Sequence, residues 1–317
     1  MKKQTRTGLV LGAAALALML AGCSDPGSTA EAGTLSPQGF NLSPEQHRQS
    51  VEPNAKAAEL LPAKIKEDGK LTVAIAQGAA PLALFATDNK TLIGNEPDIA
   101  VALAQSLGLE PDLVPVSWAD WPLGLESGKY EAVITNVTVT EARKKKYDFA
   151  TYREDKLGFY VPTDSPVTKI REPKDVAGLR ITVGSGTNQE KILLSWDAQN
   201  KKAGLKPVSF QYYDDDALAT VALNSGRADA SFGPNATGSY KAKTDGKTRV
   251  AGLVPGGWPQ AANIAVTVQK GGGLAEASPA GINGIIASGA YTKILETWGL
   301  QDEGVKTSEL NPPGLKD

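Results

Sequence analysis

The chain has 317 residues with 33 Lys or Arg against 35 Asp or Glu, a formal net charge of −2, and 41% hydrophobic content. The basic residues are scattered, so no broad cationic face for nucleic acid is expected. A single cysteine, Cys23, and a single histidine, His47, exclude an internal disulfide and most zinc-site and catalytic-triad schemes.

At the N-terminus Lys2, Lys3 and Arg6 precede an apolar run over 8–21. At roughly fourteen residues this run suits a secretory h-region better than a membrane-spanning helix, so 1–22 is expected to be a signal peptide. The run closes on Leu20, Ala21, Gly22 and Cys23, which resemble a bacterial lipobox. That resemblance implies diacylglycerol on the Cys23 thiol and acylation of the new amine, as with palmitate, giving two anchoring signals. Residues 23–66 are rich in Gly, Ser, Pro, Ala, Glu and Gln without a sustained period and are expected to form a flexible tether, with His47 a solvated side chain in it. Roughly 250 residues remain, enough for two modest cores.

From Leu71 onward short apolar runs alternate with helical patterns and Gly-marked turns, the signature of an α/β protein. Residues 71–76 read as a strand. Ile99, Leu103 and Leu107 recur at i, i+4 and i+8 in a helix over 97–107 that Gly108 stops. Strands follow at 113–116 and 130–135 around a helix at 118–127, and Thr140 opens another helix through its hydroxyl. After a strand at 157–161 a second unit begins. It has strands at 180–183, 209–213, 229–233 and 249–253, and helices at 188–199 and 215–225. Beyond Trp258 the pattern changes to a strand at 264–268 and helices near 274–288 and 291–298.

Four stretches carry a resemblance whose order and spacing matter more than any one of them: GNEPDIA at 94–100, GKYEAVITNVTVTEARKKKYDFATYR at 128–153, DVAGLRITVGSGTNQEKIL at 175–193 and LNSGRADASFG at 223–233. With GAYTKILETWGL at 289–300, they are similar to bacterial extracellular solute-binding proteins of family 3, which serve polar amino acid ABC transporters. The resemblance implies a two-lobed, type II periplasmic-binding-protein-like fold with two crossover strands at the hinge. On that template 67–161 plus 258–317 form one lobe and 162–257 the other. It also implies an extracytoplasmic monomer that captures a small carboxylate-bearing solute, an amino acid or a derivative of one, and delivers it to a permease.

Arg143 falls in the first turn of the helix capped by Thr140, where a guanidinium fork can hold a carboxylate through two parallel hydrogen bonds. In the family the matching arginine and preceding loop bind the ligand carboxylate, a role that transfers to Arg143, Thr138, Asn136 and Thr135. Thr187 and Asn188 start a helix behind a Gly-rich turn, where backbone amides favour negative charge, and the family uses the matching position against the same carboxylate. Trp121 matches a position lining the side-chain pocket, where an indole can stack on the ligand or meet its cation.

The chain departs from the family in two places. Gly233, Pro234 and Asn235 stand where an aspartate usually neutralises the ligand ammonium, so Asn235 or an acid such as Asp214 would have to serve. In the first βα loop Gly78, Ala79, Ala80 and Pro81 replace the usual aromatic before proline. An amine-free carboxylate or a modified amino acid therefore stands beside the α-amino acid as ligand. Two other functions compete with transport: a ligand sensor, and a dehydratase-like enzyme on the same fold. Without histidine or cysteine in the folded part, and without GxSxG, HExxH or P-loop spacing, catalysis would fall to carboxylates or lysines. No catalytic residue, metal or cofactor is expected.

Overall fold

The computed structural model describes residues 35–213 and 215–316. The signal peptide, Cys23 and Asp214 lie outside the described residues. In chain order the elements are α1 (Ala55–Glu59), α2 (Ala63–Asp68), β1 (Lys70–Ala76), β2 (Leu84–Phe85), β3 (Leu92–Ile93), α3 (Asn95–Ser106), β4 (Glu110–Val116), α4 (Trp121–Glu126), β5 (Ala132–Val133), α5 (Glu141–Lys144) and β6 (Tyr147–Glu154). Then come β7 (Lys156–Pro162), β8 (Arg180–Val183), α6 (Asn188–Lys202), β9 (Ser209–Tyr212), α7 (Asp216–Asn224), β10 (Ala230–Pro234), α8 (Asn235–Asp245) and β11 (Thr248–Pro255). The chain continues with β12 (Asn263–Gln269), α9 (Ala277–Ala287) and α10 (Ala290–Thr297).

The strands form two five-stranded mixed sheets, ordered β4-β1-β5-β12-β6 and β11-β7-β10-β8-β9. In each, the βα units lie parallel, as crossover helices require: β1 with β4 and β5 in the first sheet, β8 with β9 and β10 in the second. The chain passes between sheets twice, from β6 to β7 and from β11 to β12, and the strands on either side of both passages pair antiparallel. These passages are the two crossovers of the type II architecture. Because β7 pairs with β11 over its whole length and with β10 over 157–160, Lys156–Pro162 belongs with the second sheet. The passage therefore comes at residue 155, before the expected boundary at 161.

The first core packs α3, α9 and α10 on the β1-containing sheet through Leu71, Val73, Ile75, Ile99, Leu103, Ile282 and Trp298, all nearly excluded from solvent. Gly94 opens α3 at φ +131°, and a Cβ there would lie 2.4 Å from the Leu82 carbonyl oxygen, so only glycine fits. The second core is built on an aromatic stack. Phe159 lies flat on Phe232 with centroids 3.9 Å apart, Trp196 stacks on Phe159 at 5.5 Å, and Trp258 meets Trp196 edge-on at 5.0 Å.

The expected tether is not one over its second half. Val51, Ala57, Leu61 and Ile65 are buried in the first core, and the Asn54 side chain caps α1 by accepting from the Ala57 amide at 3.3 Å. Ala57 lies in α1, Ile65 in α2 and Leu61 in the short link between them, so their apolar side chains come from separate short elements and the polar composition around them obscures the pattern. His47 is exposed. Helix α8 was also not expected, because its sequence NATGSYKAKTD has no apolar stripe. It forms where Pro234 leads in and Gly246, left-handed at φ 63°, ends it.

Candidate functional site

A cleft of about 910 Å³ lies between the two sheets. Its wall on the first-sheet side comes from the turn before α4, the starts of α4 and β6, and α5: Trp118, Trp121, Tyr147 and Arg143. The facing wall comes from the β8–α6 turn at 184–187, from Ser231 to Pro234, and from α7 and α8 through Asp216, Thr237 and Lys241.

Arg143 is held in place from several directions. The Thr140 hydroxyl caps α5 by accepting the Arg143 amide at 3.1 Å. The guanidinium donates from Nη1 to the Thr138 carbonyl at 2.9 Å and from Nη2 across the cleft to the Gly186 carbonyl at 3.3 Å. It also sits 5.6 Å from the Trp118 ring centroid, a cation–π distance. Trp121 lies edge-on to Trp118 at 6.1 Å and tilted against Tyr147 at 5.3 Å, so the indoles and the phenol form a continuous apolar wall. Burial lowers the Arg143 pKa from its ordinary value and Asp155 opposes the shift; a guanidinium keeps its charge at neutral pH regardless.

On the facing wall the Thr187 hydroxyl caps the fifteen-residue α6 by accepting from the Glu190 amide at 3.2 Å, and donates to the Gly184 carbonyl at 2.7 Å. The turn is partly self-satisfied: the Gly186 amide donates to the Glu190 carboxylate at 2.6 Å. Lys241 donates to Asp216 at 2.5 Å and to the Thr220 hydroxyl at 3.0 Å. The Thr237 hydroxyl, on a residue 7% exposed, has no protein partner among the described residues.

Of the residues expected in the site, Arg143, Thr187 and Trp121 line the cleft. The polar side-chain atoms of the others engage the protein instead. The Thr135 hydroxyl accepts the Ala76 amide at 3.0 Å, and the Thr138 hydroxyl donates to Asp155 at 3.0 Å. Asn136, in the left-handed region at φ 52°, accepts from Arg153 through its side-chain oxygen. The Asn188 amide donates to the Gly256 carbonyl, and Asn235 accepts the Tyr160 hydroxyl at 2.8 Å. These five shape the loops behind the cleft and the passage between sheets. Four lining residues the sequence did not bring forward are Trp118, Tyr147, Asp216 and Lys241. Two tryptophans three residues apart before a helix were the visible signal for Trp118; Lys241 had none, since α8 itself was not foreseen.

Behind this wall lies a buried charge network. Arg153, 1% exposed, pairs with Glu303 and reaches Asn136; burial works against its charge, and Glu303, Tyr152, Glu96 and Asp155 together more than offset that. Burial pushes Glu96 up to about 7 against the pull of Arg153, and Asp155 up to about 6 against Arg153 and Thr138.

The sequence profile of the bacterial extracellular solute-binding proteins, family 3, matches residues 71–301. Over 168 residues the chain is 37% identical to the L-cystine-binding protein TcyJ of Escherichia coli, covering 53% of this chain and 59% of that protein. It is 28% identical over 259 residues to a glutamine-binding protein of Geobacillus stearothermophilus, covering 79% of this chain and 89% of that one. Among solved structures, an ancestral arginine-binding protein bound to arginine is similar at 27% identity and a TM-score of 0.63, over 73% of this chain and 98% of that chain.

Proposed function

Because the chain belongs to the bacterial extracellular solute-binding proteins, family 3, we propose that it is the substrate-binding component of an ABC transporter, taking up an amino acid in the interlobe cleft outside the cytoplasm. The observation that carries this reading is Arg143. Its guanidinium stands on the cleft wall against Trp118 with two of its N–H groups on carbonyl oxygens, and its remaining donors, without a partner among the described residues, suit a carboxylate. The cleft volume suits a small organic solute, for which sites run to about 300–1,000 Å³. Thr187 and the amides of the β8–α6 turn face the same space from the second sheet. The indole wall takes the side chain. Asp216 and Asp245 are the carboxylates among the lining residues, and Asp216, already beside Lys241, takes the ammonium that no aspartate at position 234 can meet.

Delivery to a permease follows from hinge closure about the two crossover strands, the mode of periplasmic binding proteins in general. Cys23 bears the lipid that tethers the protein to the membrane, and the protein acts as a monomer without catalysis of its own. Thermal unfolding of the chain from Ser24 onward, against cystine, arginine, glutamine and their deaminated analogues, tests the ligand class. A ligand at 100 times its dissociation constant adds about 2.7 kcal/mol, a shift of a few degrees. Amino acids are expected to raise the midpoint and their amine-free analogues not to. Equal shifts from the analogues would remove the ammonium site while leaving the carboxylate clamp.

A further inference from the structure

Helix α5, which carries Arg143, is four residues long, and a single turn cannot hold itself against the cost of nucleation. It is braced by residues 309–315, which lie beyond the stretch 71–301 shared with the family. This segment first runs along β6, the outer strand of its sheet. The Thr151 amide donates to the Glu309 carbonyl at 3.2 Å, and Phe149 and Asn311 exchange hydrogen bonds at 2.8 and 2.9 Å. It then crosses to the turn before α5. The Leu315 amide donates to the Val139 carbonyl at 3.0 Å and the Leu315 carbonyl accepts the Glu141 amide at 2.8 Å, satisfying one of the orphan donors of the first helical turn. The Gly314 amide donates to the Glu141 carboxylate at 2.7 Å, and Lys144 reaches the Pro312 carbonyl at 3.0 Å. A Cβ on Gly314 would lie 2.7 Å from the Thr140 carbonyl carbon and 2.8 Å from the Glu141 nitrogen, so the backbones touch with no room between them.

We propose that residues 309–315 are a positioning element for Arg143, fixing the turn 139–144 so that the guanidinium is presented to the cleft before ligand arrives. The proposal rests on the reading of Arg143 as the carboxylate clamp. Gly314 and Leu315 act through Arg143 and touch no ligand themselves. Placing a side chain on Gly314 must push this segment off Thr140 and free the turn.

The test compares Gly314→Val, Leu315→Ala, Arg143→Gln and the Gly314→Val/Arg143→Gln pair in the otherwise unchanged chain. One readout is affinity for arginine, cystine and glutamine by calorimetry; the other is amide hydrogen exchange without ligand. Gly314→Val is expected to weaken binding about tenfold in the Arg143 background and to add nothing once Arg143 is glutamine, a coupling characteristic of groups acting through one another. Amides of 139–144 should exchange faster in both tail variants while those of β1 and β12 do not. Leu315→Ala serves where Gly314→Val fails to fold. Unchanged exchange over 139–144 in the tail variants overturns the proposal whichever probe binds, as does equal weakening in both Arg143 backgrounds. An Arg143→Gln variant that binds as the parent overturns the clamp and the brace together, whereas an intact effect of Arg143→Gln with a silent Gly314→Val removes the brace alone.

Discussion

The first-sheet wall of the cleft presents the positive charge of Arg143 on one helical turn held from behind, whereas the second-sheet wall presents the mutually paired Asp216 and Lys241 and backbone amides from a turn that satisfies itself. Arg143 is held by Thr138, Thr140 and Trp118 and by the Gly186 carbonyl across the cleft, and none of these is an acid that would neutralise it. At the β8–α6 turn, by contrast, Glu190 already occupies the Gly186 amide. On the proposed reading, one wall is poised for an anion on arrival and the other must exchange an internal carboxylate for an external one. The two cores differ in the same sense. The first spreads over many aliphatic side chains and three helices, and the second depends on a short stack of rings. Damage should therefore be diffuse in the first unit and concentrated in the second.

The largest effect that could break this comparison is on stability. Trp196 is fully buried between Phe159 and Trp258, and Trp196→Ala is expected to cost about 3–5 kcal/mol by chemical denaturation. A loss below 1 kcal/mol, on the order of a surface substitution, would show that the ring stack does not carry the second core. Next in size, Arg143→Gln should weaken ligand binding by roughly 2–4 kcal/mol, or about 30- to 1,000-fold, with the unfolding midpoint of the free protein little changed. Calorimetric titration checks it, and a variant binding as tightly as the parent would move the anion site elsewhere.

A smaller effect concerns pH. Glu96 titrates near 7 in the folded protein against an ordinary 4.5. Its stability contribution is therefore complete below the unfolded value and lost as pH rises through about 7. Asp155, raised from 3.8 to about 6, acts in the same sense at lower pH. The unfolding midpoint should fall by a few degrees between about pH 5 and about pH 8, and Glu96→Gln should flatten the upper part of that slope. An unchanged slope in the variant would assign the pH dependence to other groups. The smallest effect sharpens the contrast between walls. Glu190→Gln loosens the competitor at Gly186 and removes a like charge, so anion affinity should rise about fivefold; a fall would mean that Glu190 organises the turn for the ligand rather than obstructing it.

Much of the fold was legible from local pattern. The parallel βα units, the helix over 97–107 and the cap at Thr140 follow from periodicity and side-chain chemistry confined to a few neighbouring residues. Arg143 and Thr187 were reachable because each stands at a turn-to-helix junction within a recognisable stretch, and Trp121 because it matches a single position of the family. Other parts were not legible for stated reasons. Strand β6 reads YDFATYRE, and a buried arginine within it masks a strand until Glu303 and Asn136, from distant parts of the chain, are seen to satisfy it. Thr135, Thr138 and Asn188 carry the right polar groups for a site, yet those groups are engaged by Ala76, Asp155 and Gly256, partners no local window contains.

By itself the sequence determined the α/β class, the order of the two units and the position of Arg143 at a capped helix start, because hydrophobic period and capping are properties of short segments. Only the tertiary structure decided which polar side chains reach the cleft, that residues 51–65 help to build the first core, and that 309–315 lie against the turn bearing Arg143. Hydrogen-bond partners and backbone approach are set by long-range pairing. They appear when distant segments are brought within about 3 Å of one another.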